Sequence, residues 1–286
     1  MWQPQSLMIM VRAACLLWML ARTAALVATR PSSGTAKHWR YSTRPSSDAA
    51  KRWRSTHRPL GALQSSDEPT GSTAGWLAKL SLAGAALGPV CDNFHSGFDV
   101  LGYTRYQVAV GSASDWWGDG HLFQTAYWVP PLFALAAIII GGIDEIVSSR
   151  LPNEERLAGP SGGRVAAGVA SFVALYGLSA YLAGAAPLGA AVAPGTSSLV
   201  LWPLALALWA AVDPSPSSFV AGAATAVGGP AIEIALLGAG GLFPEPFGHL
   251  YAYTNADFLG IDSWITAVYF AGGPAVALVS RFLRRQ

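Results

Sequence analysis

The chain has 286 residues, of which 52% are apolar and 12% are charged. Soluble domains carry about 25% charged residues, so this composition excludes an ordinary soluble protein and favours an integral membrane protein. Residues 1–66 hold ten of the 18 Lys and Arg side chains but one of the 16 acidic ones, which leaves residues 67–286 with a formal charge of −7. That balance excludes a nucleic-acid-binding surface on the main part of the chain.

The N-terminal segment is predicted to be a targeting leader in two parts. Residues 1–28 contain a short apolar stretch behind Arg12 and resemble a signal peptide. Residues 29–73 are rich in Ser, Thr, Arg and Pro, include a 14-residue tandem repeat, and are predicted to be a disordered transit-like segment and linker. This pattern favours a plastid reached through the secretory pathway, with the endoplasmic reticulum as the alternative location. In the other interpretation, residues 13–28 form an additional membrane anchor.

The rest of the chain contains six stretches that are long and apolar enough to cross a membrane as helices. Residues 165–212 contain no charged side chain, and Pro187, Pro194 and Gly195 divide them into two spans. The six predicted spans are 74–91, 122–142, 165–186, 196–212, 217–241 and 263–280. The predicted fold is therefore an all-α, six-transmembrane-helix bundle over residues 74–286.

The loop charges predict the orientation of this bundle. Six spans place both ends of the domain on one side of the membrane. The loops on that side carry Arg150, Arg156 and Arg164 and the three C-terminal arginines, whereas the opposite loops carry Arg105. By the positive-inside rule, both ends face the cytosol, or the stroma of a plastid.

Small residues and one acidic residue inside the spans mark a candidate lipid pocket. The triplets Gly228-Gly229-Pro230 and Gly272-Gly273-Pro274 are predicted to interrupt spans 5 and 6, and interrupted spans often border a cavity. Glu233 is predicted to lie well inside span 5, where a charged group is costly unless it faces a cavity, pairs or is protonated. It is expected to contact a lipid headgroup or, alternatively, a neighbouring helix.

Three polar residues after span 1 form an alternative site. On a helix, Asp92, His95 and Asp99 would share one face and could act as an acid/base or metal-binding cluster. The other interpretation is a hydrogen-bonded cap on a loop or interfacial helix. The chain lacks a second His or Cys cluster that would support a metal site, so no metal is predicted, and no cofactor is expected other than a bound lipid or sterol.

Several strings between residues 127 and 273 resemble one known family. Tyr127–Pro131 read YWVPP at span 2, Asp213 follows span 4, residues 251–264 read YAYTNADFLGIDSW, and Phe270–Gly273 read FAGG in span 6. In this order and spacing, residues 122–281 resemble the insulin-induced gene (Insig) family. Residues 91–96 do not share the pattern of the animal members.

The resemblance implies a helical membrane protein that binds a lipid or sterol and regulates or retains a polytopic membrane partner. Animal members lie in the endoplasmic reticulum and bind oxysterols, and bacterial relatives hold lipid in a central pocket. By resemblance, Asp213 matches an Asp that faces partner proteins, although Pro214 and Pro216 replace the basic residues that follow it in animal members. An intramembrane lipid-modifying enzyme that uses Asp92, His95 and Asp99 or Glu233 is the alternative, and a small-solute transporter is a third hypothesis.

Overall fold

The computed structural model describes residues 72–111, 123–151, 159–185, 189–237 and 249–286. The predicted leader, residues 1–28 and most of 29–73, lies outside the described residues. Six helices are long and apolar enough to span a membrane, which confirms the predicted six-helix bundle. These helices are α1 Thr73–Gly97, α2 Val129–Ser148, α3 Gly162–Ala183, α4 Pro194–Val212, α5 Pro216–Leu236 and α6 Ile265–Leu283.

Local sequence signals set where the helices begin. Ser72, Ser161 and Ser215 precede α1, α3 and α5, and each side-chain oxygen accepts a hydrogen bond from the backbone N–H three residues on. Such caps satisfy N–H groups that the first turn of a helix leaves free. Helices α2, α4 and α5 carry proline in their first turn, where no backbone donor is needed.

Four short strands lie at the end of the bundle opposite the C-terminus, and the sequence did not predict them. They are β1 Leu101–Tyr103, β2 Gln107–Val110, β3 Phe123–Ala126 and β4 Tyr251–Tyr253. β1 pairs antiparallel with β4, so that Leu101 lies opposite Tyr253 and Tyr103 opposite Tyr251. β2 pairs antiparallel with β3. Residues 123–126, predicted to open span 2, are therefore a strand that precedes the helix.

Helix α6 lies at the centre of the bundle and contacts the five others. In its most apolar 18-residue stretch 67% of the residues are buried, compared with 22–50% in the other helices. Its core side chains include Val268, Phe270 and Leu278, each at most 2% exposed. The low exposure of these side chains makes α6 the element on which the other helices pack.

Glycines allow two helix pairs to approach closely. A Cβ at Gly273 of α6 would lie 2.4 Å from the backbone of Gly222 in α5. A Cβ at Gly84 or Gly88 of α1 would overlap Phe133 of α2. Small residues serve this purpose in membrane helices, because packing rather than the hydrophobic effect holds the helices together.

The predicted interruptions of spans 5 and 6 were wrong. Helix α5 continues through Gly228-Gly229-Pro230, and α6 continues through Gly272-Gly273-Pro274. A proline inside a helix removes one backbone hydrogen bond, which tertiary packing can offset without ending the helix. Pro230 and Pro274 are both buried in helix contacts.

Candidate functional site

A cavity lies beside the β1–β4 sheet, at the end of the bundle opposite the C-terminus. Its empty volume is about 330 Å³, including the space at its open mouth. Most of that figure is open space, and the room inside it for a water-sized molecule is about 20 Å³, enough for roughly one water. Residues from five helices and two strands line it: Asp92, Leu101, Tyr103, Trp128, Val129, Leu132, Phe133, Tyr176, Glu233, Tyr251 and Tyr269.

Glu233 lies in the last turn of α5 and is held by tyrosines. The Tyr269 hydroxyl donates to Oε1 at 2.7 Å, and the Tyr253 hydroxyl donates to Oε2 at 2.9 Å. The Tyr251 phenol is a third hydrogen-bond neighbour of the carboxylate. The C-terminal end of a helix disfavours a negative charge, and these neutral donors offset that cost.

Burial keeps the phenols of the sheet in their donating form. It raises the pKa of Tyr251 and Tyr253 well above the ordinary value of 10, and the nearby Glu233 carboxylate raises both further. A buried phenolate beside a carboxylate would place two like charges in a medium of low dielectric. Both tyrosines therefore remain protonated at physiological pH and donate to Glu233 or to a ligand.

Asp92 is the second carboxyl group of the cavity, and it reaches the cavity from α1. Asp92 is 7% exposed, and its Oδ2 atom has no hydrogen-bond partner among the described residues. Tyr103 and Trp128 also line this cavity, and the Tyr103 hydroxyl and the Trp128 indole N–H are also buried without such a partner. Buried polar atoms are rarely left unpaired, so these three are candidates for hydrogen bonds to a bound water or to the polar group of a ligand.

Aromatic rings form much of the cavity wall. The Trp128 ring stacks on Tyr251 with centroids 5.4 Å apart, and Tyr103 meets Trp128 edge to face at 6.0 Å. Leu132 and Phe133 of α2 complete the apolar part of the wall. The cavity thus combines two carboxyl groups, aromatic faces and an apolar side, and no Lys or Arg among the described residues lines it.

Comparisons with known proteins show which solved structures share this architecture. No family model matches the chain. The fold matches the crystal structure of an Insig homolog from Mycobacterium vanbaalenii with a TM-score of 0.54 and 21% identity, over 74% of this chain and 95% of that one. A cross-linked trimer of the same homolog matches with a TM-score of 0.54 and 22% identity.

The curated relatives that match are insulin-induced gene 1 proteins. The chain is 31% identical to the protein of Gallus gallus over 162 residues. These residues are 57% of this chain and 58% of that protein. It is 31% identical to the protein of Bos taurus over 52% of that protein, and 30% identical to that of Xenopus laevis over 58%. The chain resembles the Insig family. It spans just over half the length of these curated relatives.

The Insig-like bundle does not bring the alternative polar cluster together. The α1 helix ends at Gly97, and Asp99 lies beyond it, exposed and with a positive φ of 58°. The predicted shared face of Asp92, His95 and Asp99 is therefore wrong, because the helix is two residues too short to carry Asp99. Among the described residues, no group of three or more His, Cys, Asp and Glu side chains is arranged to hold a metal ion.

His95 is a buried core residue next to the cavity. It is 0% exposed, and its Nε2 atom lies 3.0 Å from the Ser179 hydroxyl of α3. Its ring stacks on Tyr176 at 4.2 Å and meets Trp264 edge to face at 5.4 Å. His95 therefore supports Tyr176, which lines the cavity, and does not line the cavity itself.

The predicted pocket glycines and proline pack the helices instead of lining the cavity. A Cβ at Gly229 would lie 2.7 Å from the Tyr269 ring, and one at Gly272 would lie 3.2 Å from Phe172. Gly273 contacts Gly222, and Pro230 is buried. Of the predicted pocket residues, Glu233 lines the cavity. Gly229 contacts the ring of Tyr269, whose hydroxyl donates a hydrogen bond to Glu233.

Asp213 lies at the other end of the bundle, where the C-terminus also lies. Its side chain is 3% exposed, bonds the Arg281 guanidinium, and lies 3.6 Å from Arg164. Arg281 also pairs with Asp144 of α2 at 3.3 Å. The predicted partner-facing role does not fit this placement, because Asp213 joins the ends of α3, α4 and α6 and exposes almost no side-chain surface.

Sequence reasoning missed the aromatic residues of the cavity. Tyr103, Tyr176, Tyr251 and Tyr269 come from four separate elements, and their spacing in the chain carries no sign that they converge. The available signal was the Tyr251–Leu259 stretch, which carried the family resemblance without revealing that its tyrosines bind Glu233.

Proposed function

We propose that this Insig-like membrane protein binds a single lipid or sterol molecule in the cavity between α1, α2, α3, α5 and α6, and that the bound molecule controls its association with a polytopic membrane partner. The observation that supports lipid binding most directly is the set of three unpartnered buried polar atoms, on Asp92, Tyr103 and Trp128, around one aromatic cavity. A membrane amphiphile matches such a site, because its polar head satisfies these atoms while its chain stays in the apolar medium.

The regulatory part of the proposal rests on the family resemblance. The resemblance implies that animal members retain membrane partners. A lipid bound in the cavity would change the shape of the surface that a partner contacts, so the affinity for the partner would depend on whether lipid is bound. The predicted two-part leader favours a plastid membrane and the endoplasmic reticulum is the alternative. A fluorescent reporter fused to residues 1–73 tests this choice.

Lipid content of the purified protein tests the binding. Leu132→Trp places a large ring in the cavity wall, and we expect it to lower the amount of co-purified lipid several-fold. Leu135→Trp is the matched control, because Leu135 lies on the same helix but is 53% exposed on the outer face. Equal lipid content in wild type and Leu132→Trp would overturn the proposal. Loss of a cross-linked membrane partner in Leu132→Trp, but not in Leu135→Trp, would support the regulatory part.

A lipid-modifying enzyme is the second candidate, favoured by the two carboxyl groups that share the cavity. Two neighbouring carboxyls can divide the roles of general acid and general base. The lipid extract distinguishes the two functions. A stoichiometric lipid that is recovered unchanged after incubation supports binding, whereas conversion that stops in Asp92→Asn or Glu233→Gln supports an enzyme.

A further inference from the structure

We infer that the cavity selects an amphiphile whose head carries an ammonium group with an oxygen acceptor beside it, and that Asp92 and Glu233 bind the ammonium. This inference names the ligand class of the lipid site proposed above and rests on that proposal.

The charges that face the cavity favour a cation. Both carboxyl groups line it, and the described residues contribute no basic side chain to its wall. The arginines at the C-terminal end of the bundle pair with Asp144 and Asp213 and lie far along the helices from the cavity. The tyrosine hydroxyls that bond Glu233 are neutral, so neither carboxyl group has a counter-charge among the residues that line the cavity, and a ligand ammonium would supply one.

The unpartnered atoms match an ammonium and an oxygen together. The free Oδ2 atom of Asp92 accepts a hydrogen bond, as an ammonium requires. The indole N–H of Trp128 donates, and the hydroxyl of Tyr103 donates or accepts, so both can satisfy an oxygen on the neighbouring carbon of the ligand. A simple alcohol head would leave the second carboxyl without a cation.

The aromatic wall also suits a cation. Trp128, Tyr103 and Tyr251 surround the same space with their rings, and Tyr176 and Tyr269 line its other side. Ring faces attract ammonium groups, most strongly where water is excluded. Leu132 and Phe133 then offer apolar surface to the first methylenes of a hydrocarbon chain.

A matched pair of amphiphiles tests the inference. The probes are hexadecylamine and hexadecanol, which share a chain but differ in head charge at pH 7, and ethanolamine tests whether a free amine suffices. The full-length protein is delipidated in neutral detergent, and the affinity of each probe is measured by thermal stabilisation and by displacement of the native lipid. We expect hexadecylamine to bind at least about tenfold more tightly than hexadecanol, since a hydrogen bond to a charged group adds that much discrimination.

Variants assign the effect to the carboxyl groups. Asp92→Asn and Glu233→Gln keep the side-chain size and should each remove most of the preference for the amine while retaining hexadecanol binding. Asp99→Asn removes a negative charge from the exposed loop after α1 and should leave the preference unchanged. Asn is accepted at the positive φ of this position.

Each outcome decides between the two proposals. Equal or tighter binding of hexadecanol, or a preference that survives in both cavity variants, overturns the ammonium inference while the lipid site stands. Binding of ethanolamine as tightly as hexadecylamine overturns the requirement for an amphiphile. If neither long-chain probe binds, the proposed lipid site itself fails.

Discussion

The guanidinium of Arg281 bonds the carboxylate of Asp213, which lies 68 residues earlier in the chain. The pair joins α6 to the turn between α4 and α5, and Arg281 also pairs with Asp144 of α2. Arg164 of α3 adds a hydrogen bond from Nε to the carbonyl of Val212 at 2.6 Å, which satisfies a free carbonyl at the end of α4. These contacts join α2, α3, α4 and α6 at one end of the bundle.

Asp213→Ala is therefore expected to destabilise the protein. The substitution leaves Arg281 with one carboxylate fewer in a largely buried site, and removing one partner of a buried ion pair costs about 3–5 kcal/mol in the free energy of unfolding. Thermal unfolding in detergent, followed by tryptophan fluorescence, measures the change. Glu145→Ala is the control, because Glu145 is 39% exposed and lies 3.9 Å from Arg284, and exposed pairs contribute about 0–1 kcal/mol. An unchanged midpoint for Asp213→Ala together with a lost partner would restore the partner-facing role.

Glu233→Leu should destabilise the β1–β4 end of the bundle. The change removes the acceptor of the Tyr253 and Tyr269 hydroxyls, and an orphaned buried donor costs about 1–3 kcal/mol. Glu233→Gln retains an acceptor oxygen and should keep most of the stability. Hydrogen exchange at Tyr251–Tyr253 distinguishes the two variants, since faster exchange is expected in the leucine variant only. Equal exchange in both would show that the tyrosines do not depend on residue 233.

Gly273→Ala should separate α5 from α6. The new Cβ would lie 2.4 Å from the backbone of Gly222, and backbone atoms cannot move aside without displacing a helix. Overpacking of this kind costs about 1–3 kcal/mol. Gly228→Ala is the matched control on α5, because no atom lies within 4 Å of its new Cβ, and alanine favours the helix by about 0.5–1 kcal/mol. Thermal midpoints that fall in the first variant and hold or rise in the second are the expected result.

Asp262 gives the protein a pH-dependent stability that can be measured. Burial raises the pKa of Asp262 to about 6, with repulsion from Asp257 as the second cause, and its Oδ1 atom has no hydrogen-bond partner in the described structure. A folded-state pKa above the ordinary 3.8 means that the folded protein binds the proton more tightly than the unfolded chain. The stability that this proton contributes is present below about pH 4 and is lost as the pH rises through about 6.

Asp262→Asn should therefore stabilise the protein at pH 7.5, by up to about 3 kcal/mol, and this gain should disappear near pH 4. The measurement is the difference in unfolding midpoint between variant and wild type from pH 4 to pH 8, because other titrating groups cancel in that difference. The exposed Asp99→Asn serves as the reference. A difference that does not change with pH would contradict the prediction.

The six-span topology is tested by accessibility. A tag inserted between Asp67 and Gly75 and a tag after Gln286 should be cleaved by protease from the same side of sealed vesicles. The physical reason is that an even number of spans returns the chain to its starting side. Opposite accessibility of the two tags would mean an odd number of spans in the folded membrane protein.

The composition of the chain and its six continuous apolar stretches determined that it is a six-helix membrane protein. Each span is a continuous local signal, because a helix in lipid must be apolar along its own length. The boundaries were less predictable. Apolarity alone does not distinguish the end of a helix from a buried strand or turn. The residues predicted to begin span 2 therefore form strand β3 in the structure. Glu233, predicted to lie in the middle of span 5, lies in the last turn of α5.

The tertiary structure alone decided which of the predicted residues act together. Asp92 and Glu233 are 141 positions apart and meet at one cavity because α1 and α5 end on the same side of the bundle. Asp213 looked like a loop residue available to a partner, yet Arg281 from the last helix buries it. Such pairings depend on the packing of non-adjacent helices, and the sequence around each residue carries no record of the partner that packing brings to it.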